Sequence, residues 1–142
     1  MAGINPYLLF NGNCGEAFDH YHAVFGGDFV MRMTFGDMPA EAQCEAADAS
    51  RIGHVSLPIG ASMLMGSDCP PSMPCDVGNN FAVSFAADSK EDADRIFAGL
   101  SDGGSVTMPQ QDVFWGSYFG MCTDKFGINW QVSYSATTQQ NN

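Results

Sequence analysis

Basic residues are scarce in this 142-residue chain, which has 5 Lys and Arg against 16 Asp and Glu and a formal net charge of −11. Such a charge balance repels nucleic-acid phosphates and anionic membranes. It also disfavours highly anionic substrates unless a local pocket overrides the field of the whole protein. We therefore expect neither a nucleic acid nor a membrane as a partner.

Long apolar runs are also lacking, since no stretch approaches the roughly 20 residues that a membrane-spanning helix needs. The first residues, Met-Ala-Gly-Ile-Asn-Pro, have neither the basic nor the apolar region of a signal peptide. These features predict a cytoplasmic protein. The length suits one domain or two half-size units, and 45% apolar residues can build a sizeable core.

No Cys-x-x-Cys motif occurs among the five cysteines. Cys69 and Cys75 are separated by Pro-Pro-Ser-Met-Pro, which matches no common zinc spacing. Free thiols are expected in a reducing compartment, with a disulfide across this proline-rich loop as the alternative. No strand is followed by a Gly-rich turn of the kind that holds a nucleotide-like cofactor, and no cofactor is predicted.

Apolar periodicity predicts the same order of elements twice, a strand, a helix and three strands. The first helix begins at Asn13, where Asn13 and Glu16 resemble a capping box, and Asp88 or Ser89 caps the second. A shift of 76 residues superposes the two helices. It places Ala17 on Ala93, Tyr21 on Phe97, Val24 on Leu100 and Gly27 on Gly103. The repeat predicts two similar βαβββ modules.

The predicted boundaries are a first module over 1–68, a linker over 69–79, a second module over 80–134 and a disordered tail over 135–142. Proline and glycine give the linker its composition. The acidic segment 36–50 is interpreted as a short helix, a flap over a cleft or a solvated surface excursion.

Two groups of residues carry a family resemblance. One is the closing segment with Trp115-Gly116, Asp124-Lys-Phe-Gly127 and Trp130-Gln-Val132, and the other is the opening Asn5-Pro-Tyr-Leu-Leu-Phe-Asn-Gly12 with Ala17-Phe-x-x-Tyr21. Together, over 4–134, they resemble the vicinal oxygen chelate superfamily of glyoxalase I, bleomycin resistance proteins and extradiol dioxygenases, and within it the PhnB-like branch. The resemblance implies an α+β fold whose paired βαβββ modules form an open cup-like barrel, and it implies a homodimer.

Catalytic members of the superfamily hold a divalent metal with His and Glu side chains from the first and last strands of each module. Strand alternation places the corresponding positions at Pro6, Met65, Ala82 and Gln131. None of these is His, Glu or Asp, and their sequence neighbours supply no good ligand. We therefore predict no metal site, and a divalent metal would require an error in this register.

Alternation also predicts which strand residues face the cup, while Tyr7 and Leu9 are assigned to the layer under the helices. The predicted cup residues are Leu8, Phe10, His54, Ser56, Met63, Met65, Ser84, Asn129 and Gln131, and Trp115 and Tyr118 are added as aromatics that could stack on a flat ligand. His54 is the only ionisable member of the strand set and the candidate general base, with a structural hydrogen-bonding role as the alternative.

Three functions are compatible with these residues. The leading hypothesis is a small-molecule-binding protein of the PhnB-like branch that works without the family metal. The alternative is an enzyme of the superfamily, of the lyase, isomerase or dioxygenase type, that uses His54 or a metal. The third is a structural or interaction protein whose cup is filled by its own side chains.

Overall fold

The computed structural model describes residues 3–37, 49–114 and 116–136. The chain divides into two compact units, unit 1 (Met1–Asp76) and unit 2 (Val77–Asn142). Most of the acidic segment 36–50 and the end of the predicted tail lie outside the described residues. The linker over 69–79 and the disorder of the tail stay predictions.

Unit 1 contains one helix and a four-stranded mixed sheet. Its elements are β1 (Tyr7–Phe10), α1 (Cys14–Phe25), β2 (Met31–Thr34), a 3-10 turn (Phe35–Asp37), β3 (Ile52–Ile59) and β4 (Ser62–Asp68). The strands lie in the order β1-β4-β3-β2. β1 runs parallel to β4, and the other neighbouring strands are antiparallel.

Unit 2 repeats this arrangement. Its elements are β5 (Val83–Ala86), α2 (Lys90–Ser101), β6 (Ser105–Asp112), β7 (Tyr118–Thr123) and β8 (Asn129–Tyr134). The strand order is β5-β8-β7-β6, with β5 parallel to β8. The predicted α+β fold of paired βαβββ modules is confirmed.

The apolar residues that the repeat pairs on the two helices are buried, as predicted. Ala17 and Ala93 are fully buried, and the other paired apolar positions on the two helices are buried to 9% exposure or less. At the start of α2, Ser89 Oγ accepts a hydrogen bond from the backbone N–H of Asp92 at 3.0 Å, which confirms the predicted cap.

The predicted capping box at α1 is wrong, because the Asn13 side chain makes no capping hydrogen bond. The buried carboxylate of Asp68, at the end of β4, takes its place. Oδ1 of Asp68 accepts hydrogen bonds from the N–H groups of Gly12 and Cys14 at 2.8 and 2.9 Å, and Oδ2 accepts one from Ile52 at 2.8 Å. One carboxylate thus ties the start of α1 to β3 and β4.

The turn between β7 and β8 is built around the Asp124 carboxylate, which is 3% exposed. Its Oδ1 accepts hydrogen bonds from the N–H groups of Phe126 and Ile128, at 2.9 and 3.0 Å. Its Oδ2 accepts one from the indole Nε1 of Trp130, at 2.9 Å. Gly127 adopts φ +92°, a region that other residues rarely occupy. Residues that carried the family resemblance therefore fix the register of β8.

Strand β1 faces the opposite way from the prediction. Leu8 and Phe10 are 2% and 3% exposed, and the Phe10 ring packs edge-on against Phe18 of α1. They lie under the helix, so their assignment to the cup was wrong. Tyr7 and Leu9, predicted to lie under the helix, are on the other face and are 44% and 50% exposed.

The constant repeat shift of 76 explains this error. It correctly superposes Ala17 on Ala93, but it also places Leu8 on Ser84. Leu8 lies on the helix side of its sheet, whereas Ser84 is exposed on the far side. Both helices are preceded by three-residue connections, 11–13 and 87–89, yet Tyr7 and Ser84 share the far side of their sheets, so the strand faces correspond by an odd shift rather than by 76. A one-residue difference moves every side chain of a strand to the opposite face.

Candidate functional site

The candidate site lies on the face of the unit 1 sheet opposite α1, which we call the helix-distal face. Cross-strand pairs in a sheet share a face, so the register identifies its members. Met31 pairs with Ser56, Ser56 with Met65, Met65 with Tyr7, and Met33 with His54. The face thus comprises Tyr7, Leu9, Met31, Met33, His54, Ser56, Pro58, Met63 and Met65.

A chain of hydrogen bonds crosses this face. The Tyr7 hydroxyl lies 3.1 Å from Nδ1 of His54, and Nε2 of His54 lies 2.8 Å from Oγ of Ser56. The rings of Tyr7 and His54 are tilted by 33°, with centroids 5.6 Å apart. Ser56 is 6% exposed, whereas Tyr7 is 44% exposed. The chain therefore runs from a buried hydroxyl at the sheet to a hydroxyl that is open to solvent.

Either neutral tautomer of His54 satisfies both contacts. A neutral imidazole has one N–H donor and one acceptor nitrogen, and the hydroxyls of Tyr7 and Ser56 can each donate or accept. A proton can thus sit on either ring nitrogen without leaving a polar atom of the trio unpaired. This arrangement can receive a ligand group that donates or one that accepts a hydrogen bond.

Methionines frame the two polar residues of β3 on both sides. Met31 and Met33 come from β2, and Met63 and Met65 come from β4. All four are at least partly accessible, and Met31 is 44% exposed. Unbranched, polarizable thioethers adapt their shape to the group that they contact. The face therefore combines an adaptable apolar frame with a small polar centre.

In unit 2, Ser84 and Gln131 pair with each other on the face away from α2. Asn129 shares that face, but its amide is already engaged. Its Oδ1 accepts a hydrogen bond from Thr123 Oγ1 at 2.7 Å, and its Nδ2 donates to the carbonyls of Gly78 and Phe81 at 3.4 Å. Asn129 thus holds the β7–β8 turn and the chain before β5 together.

The predicted placement of Tyr118 in the cup was wrong. Its hydroxyl donates a 2.6 Å hydrogen bond to Oδ1 of Asp94 on α2, so the side chain lies on the helix side. That hydrogen bond is the main reason why the pKa of Tyr118 is raised, and burial and the charges of Asp94 and Asp112 add to it. The Lys90 ammonium lies 4.8 Å from the centre of the ring. Trp115, the other predicted aromatic, lies outside the described residues.

The corrected register also changes the positions that the resemblance gives to metal ligands. Met65 pairs with Tyr7 rather than Pro6, and Gln131 pairs with Ser84 rather than Ala82. A phenol, a thioether, a hydroxyl and an amide do not fit a divalent metal site of the His and Glu type. Within residues 3–37, 49–114 and 116–136, no group of three or more His, Cys, Asp or Glu side chains could hold a metal ion.

Five members of the face were not predicted from the sequence. Tyr7 and Leu9 were placed on the wrong side of β1, and Met31, Met33 and Pro58 were not assigned to the cup. Pairing Met31 with Ser56, and Met33 with His54, would have found both methionines, because directly opposed residues of antiparallel strands share a face. Tyr7 could have been found by pairing β1 with β4 directly rather than through the repeat.

Residues 3–132 match the family model of the Glyoxalase/Bleomycin resistance protein/Dioxygenase superfamily. The chain belongs to this superfamily, as its paired βαβββ units predicted. Protein YjdN of Escherichia coli (strain K12) is 32% identical over 138 residues, which cover 92% of this chain and 93% of that protein. No helix in the described part of the chain is both long and apolar enough to span a membrane.

Two solved structures show the same fold. Protein PA1353 from Pseudomonas aeruginosa is 41% identical, with a TM-score of 0.87 over 95% of this chain and 98% of that one. The PhnB protein from Bacillus cereus is 19% identical, with a TM-score of 0.73 over 94% of this chain and 100% of that one. The second likeness is one of fold alone.

Proposed function

We propose that this chain binds a small molecule on the helix-distal face of unit 1 and does so without a divalent metal. The observation that carries the proposal is the hydrogen-bonded chain from Tyr7 through His54 to Ser56 within a frame of methionines. Small-molecule sites are usually apolar surfaces with a few convergent polar groups. This face has that composition.

The chemistry of the face indicates the class of ligand. The methionine thioethers suit an aromatic or flexible apolar body. The exposed Tyr7 hydroxyl offers one hydrogen bond to a polar group of the ligand. The net charge of −11 favours a neutral or cationic molecule over an anion. We therefore infer a neutral or cationic ligand with an apolar body and at least one hydrogen-bonding group.

The proposed independence from metal rests on the residues themselves. Both ring nitrogens of His54 are hydrogen-bonded, so coordination by His54 would break a contact to Tyr7 or Ser56. Elemental analysis of protein purified without chelator should find no stoichiometric Zn, Ni, Mn or Fe. One equivalent of any of these metals per chain would overturn this part of the proposal.

Binding is tested by a thermal-shift screen of small neutral and cationic metabolites. A ligand present at 100 times its dissociation constant stabilises a protein by about 2.7 kcal/mol, which gives a measurable shift. The binding of these ligands should be weakened by His54→Ala. It should be unaffected by His20→Ala, which changes a histidine on α1. A screen in which nothing stabilises the wild-type protein, or in which both variants retain full binding, contradicts the proposal.

Catalysis with His54 as general base is a second candidate function. It is favoured by the 2.8 Å contact between Nε2 of His54 and Oγ of Ser56, while Tyr7 holds the other ring nitrogen. An imidazole oriented in this way can accept a proton from a bound substrate or from the serine hydroxyl. A ligand that the wild-type protein converts and that His54→Ala binds without converting would establish this role. Equal conversion by both proteins would exclude it.

We also propose that the protein is cytoplasmic, as its composition predicts, and that it is a homodimer, as the family resemblance implies. Light scattering during size-exclusion chromatography measures the molar mass directly. A mass of twice that of one chain supports the dimer, and the mass of a single chain contradicts it.

A further inference from the structure

The loop that follows β4 carries two cysteines and folds back onto the end of β1. The backbone N–H of Cys69 donates a 2.7 Å hydrogen bond to the carbonyl of Phe10. The next residue, Asn11, holds Cys75 from both sides. Its Nδ2 donates to the Cys75 carbonyl and its Oδ1 accepts from the Cys75 N–H, each at 2.9 Å. Phe10 and Asn11, which are adjacent at the end of β1, therefore bind Cys69 and Cys75 respectively and bring the two cysteines close together.

Asn11 also reaches the side chain of Cys75. The Cys75 thiol lies 3.5 Å from Oδ1 of Asn11. The pKa of the Cys69 thiol is raised, first by burial and then by a hydrogen bond with the Cys75 thiol and by its charge. A hydrogen bond from the backbone N–H of Cys75 lowers the pKa of the Cys69 thiol and so opposes these effects. Cys75 thus lies close enough to influence the Cys69 thiol, and both cysteines are half-buried free thiols.

We propose that Cys69 and Cys75 form a redox-active dithiol that closes to an intramolecular disulfide when the protein meets a peroxide. This modification site is separate from the proposed ligand site and does not depend on it. The other described cysteines, Cys14 and Cys122, are buried single thiols.

The chemistry balances with hydrogen peroxide as the oxidant. One thiolate attacks a peroxide oxygen and becomes a sulfenic acid, while the O–O bond breaks and the leaving hydroxide takes up a proton to form water. The second sulfur then attacks the sulfenic sulfur, the S–O bond breaks, and a second water leaves. Two thiols and one peroxide give one disulfide and two waters. A dithiol reductant exchanges with the disulfide, restores both thiols and itself becomes a disulfide.

The structure indicates what the bond would do. The Cys69 carbonyl accepts a 2.8 Å hydrogen bond from Nη1 of Arg51, and the preceding residue is Asp68, which holds the start of α1. A disulfide would add a covalent closure to a loop that these hydrogen bonds already anchor. Oxidation would therefore fix the proline-rich loop against the ends of β1 and β4.

The distribution of Lys and Arg makes the test specific. Trypsin cleavage after Arg32, Arg51, Lys90 and Arg95 puts Cys14, Cys44 and Cys122 on separate peptides and leaves Cys69 and Cys75 together on peptide 52–90. The folded protein is treated briefly with hydrogen peroxide, blocked with N-ethylmaleimide, digested and weighed by mass spectrometry. We expect peptide 52–90 to be lighter by two hydrogen atoms and free of maleimide, and dithiothreitol should restore both thiols. Two maleimides on that peptide, a sulfinic acid at either cysteine, or a link to peptide 33–51 would overturn the proposal.

Asn11→Ala tests whether the hydrogen bonds from Asn11 to Cys75 promote disulfide formation. Loss of the two hydrogen bonds to the Cys75 backbone should slow disulfide formation by about 30-fold, the effect of two hydrogen bonds of ordinary strength. Asn5→Ala is the matched control, because Asn5 accepts a hydrogen bond from the Met63 N–H at the other end of β1. It should leave the rate unchanged. A second measurement uses the wild-type protein unfolded in urea, which does not depend on a variant that folds. Its disulfide should also form more slowly than that of the native protein. Equal rates in Asn11→Ala, in urea and in the native protein would contradict the anchoring.

Discussion

The Tyr7 hydroxyl lies 3.1 Å from Nδ1 of His54, so a side chain of β1 reaches across β4 to one of β3. This contact joins the first strand of the sheet to a histidine that the sequence offered as an isolated candidate base. It makes His54 part of a polar trio with Ser56, and it places that trio on the helix-distal face. The proposed ligand site depends on this relationship.

Asp124→Asn should destabilise the protein. The amide oxygen can still accept hydrogen bonds from Phe126 and Ile128, but the amide nitrogen then meets the indole N–H of Trp130, and two donors face each other in a buried site. Loss of a buried hydrogen bond to a charged group amounts to about 2 kcal/mol. Urea unfolding measures the change. The exposed Asp102→Asn at the end of α2 is the control and should alter stability little, and an equally small effect at Asp124 would contradict the structural role of its carboxylate.

Gly66→Ala should also destabilise the protein, for a steric reason. A Cβ at Gly66 would lie 2.7 Å from Cε1 of Phe18 and 2.9 Å from the carbonyl oxygen of Leu8, both closer than atoms can pack. The neighbours are a buried ring and backbone, so we expect a loss of about 1–3 kcal/mol in the free energy of unfolding. Gly78→Ala, where the nearest atom would be 3.9 Å away, is the matched control. If both variants unfold at the same urea concentration as the wild type, the packing of α1 on β4 is wrong.

Stability should fall above about pH 9 because of the buried thiols. Burial raises the pKa of Cys122 from its usual 9.0 to about 11, and the charge of Asp124 adds to the shift. Burial also raises the pKa of Cys14, and Asp68 adds to that shift while Arg32 opposes it. Between pH 9 and 11 the unfolded chain therefore loses a proton from Cys122 that the folded chain keeps, so unfolding becomes more favourable as pH rises.

The urea concentration at the midpoint of unfolding, measured from about pH 8 to about pH 11, tests whether stability falls with rising pH. Cys122→Ala should be less stable overall but should lose less stability over that range than the wild type. Gly78→Ala, which leaves every thiol in place, serves as the control and should keep the wild-type pH dependence. A steeper decline in Cys122→Ala than in the wild type would show that the sign of the effect is wrong.

The features that the sequence predicted well are local or repeated. The stripe through Ala17 and Ala93 depends on helical spacing alone, and the Asp124-to-Gly127 turn consists of neighbouring residues. The failures involve distant partners. Asn13 was assigned a cap that Asp68, more than 50 residues away, provides instead. Tyr118 was chosen for its aromatic ring, but its partner Asp94 lies on α2.

The polar trio was missed for the same reason. His54 and Ser56 are two residues apart on β3, so alternation places them on one face. Tyr7 joins them through the parallel pairing of β1 with β4, and a displacement of one residue in β1 removes it from the face. The predicted cup therefore differs from the observed face because the sequence does not reveal the register between strands that are distant along the chain.

The most direct test of the proposed binding site compares two Tyr→Phe variants in isothermal titration calorimetry with a ligand from the thermal-shift screen. Tyr7→Phe removes the hydroxyl that contacts His54 on the helix-distal face, whereas Tyr118→Phe removes a hydroxyl bonded to Asp94 on the helix side of unit 2. The proposed site predicts that Tyr7→Phe raises the dissociation constant by about 3- to 10-fold, the effect of one hydrogen bond, and that Tyr118→Phe leaves it unchanged. Unchanged affinity in Tyr7→Phe, or a larger loss in Tyr118→Phe, would contradict it.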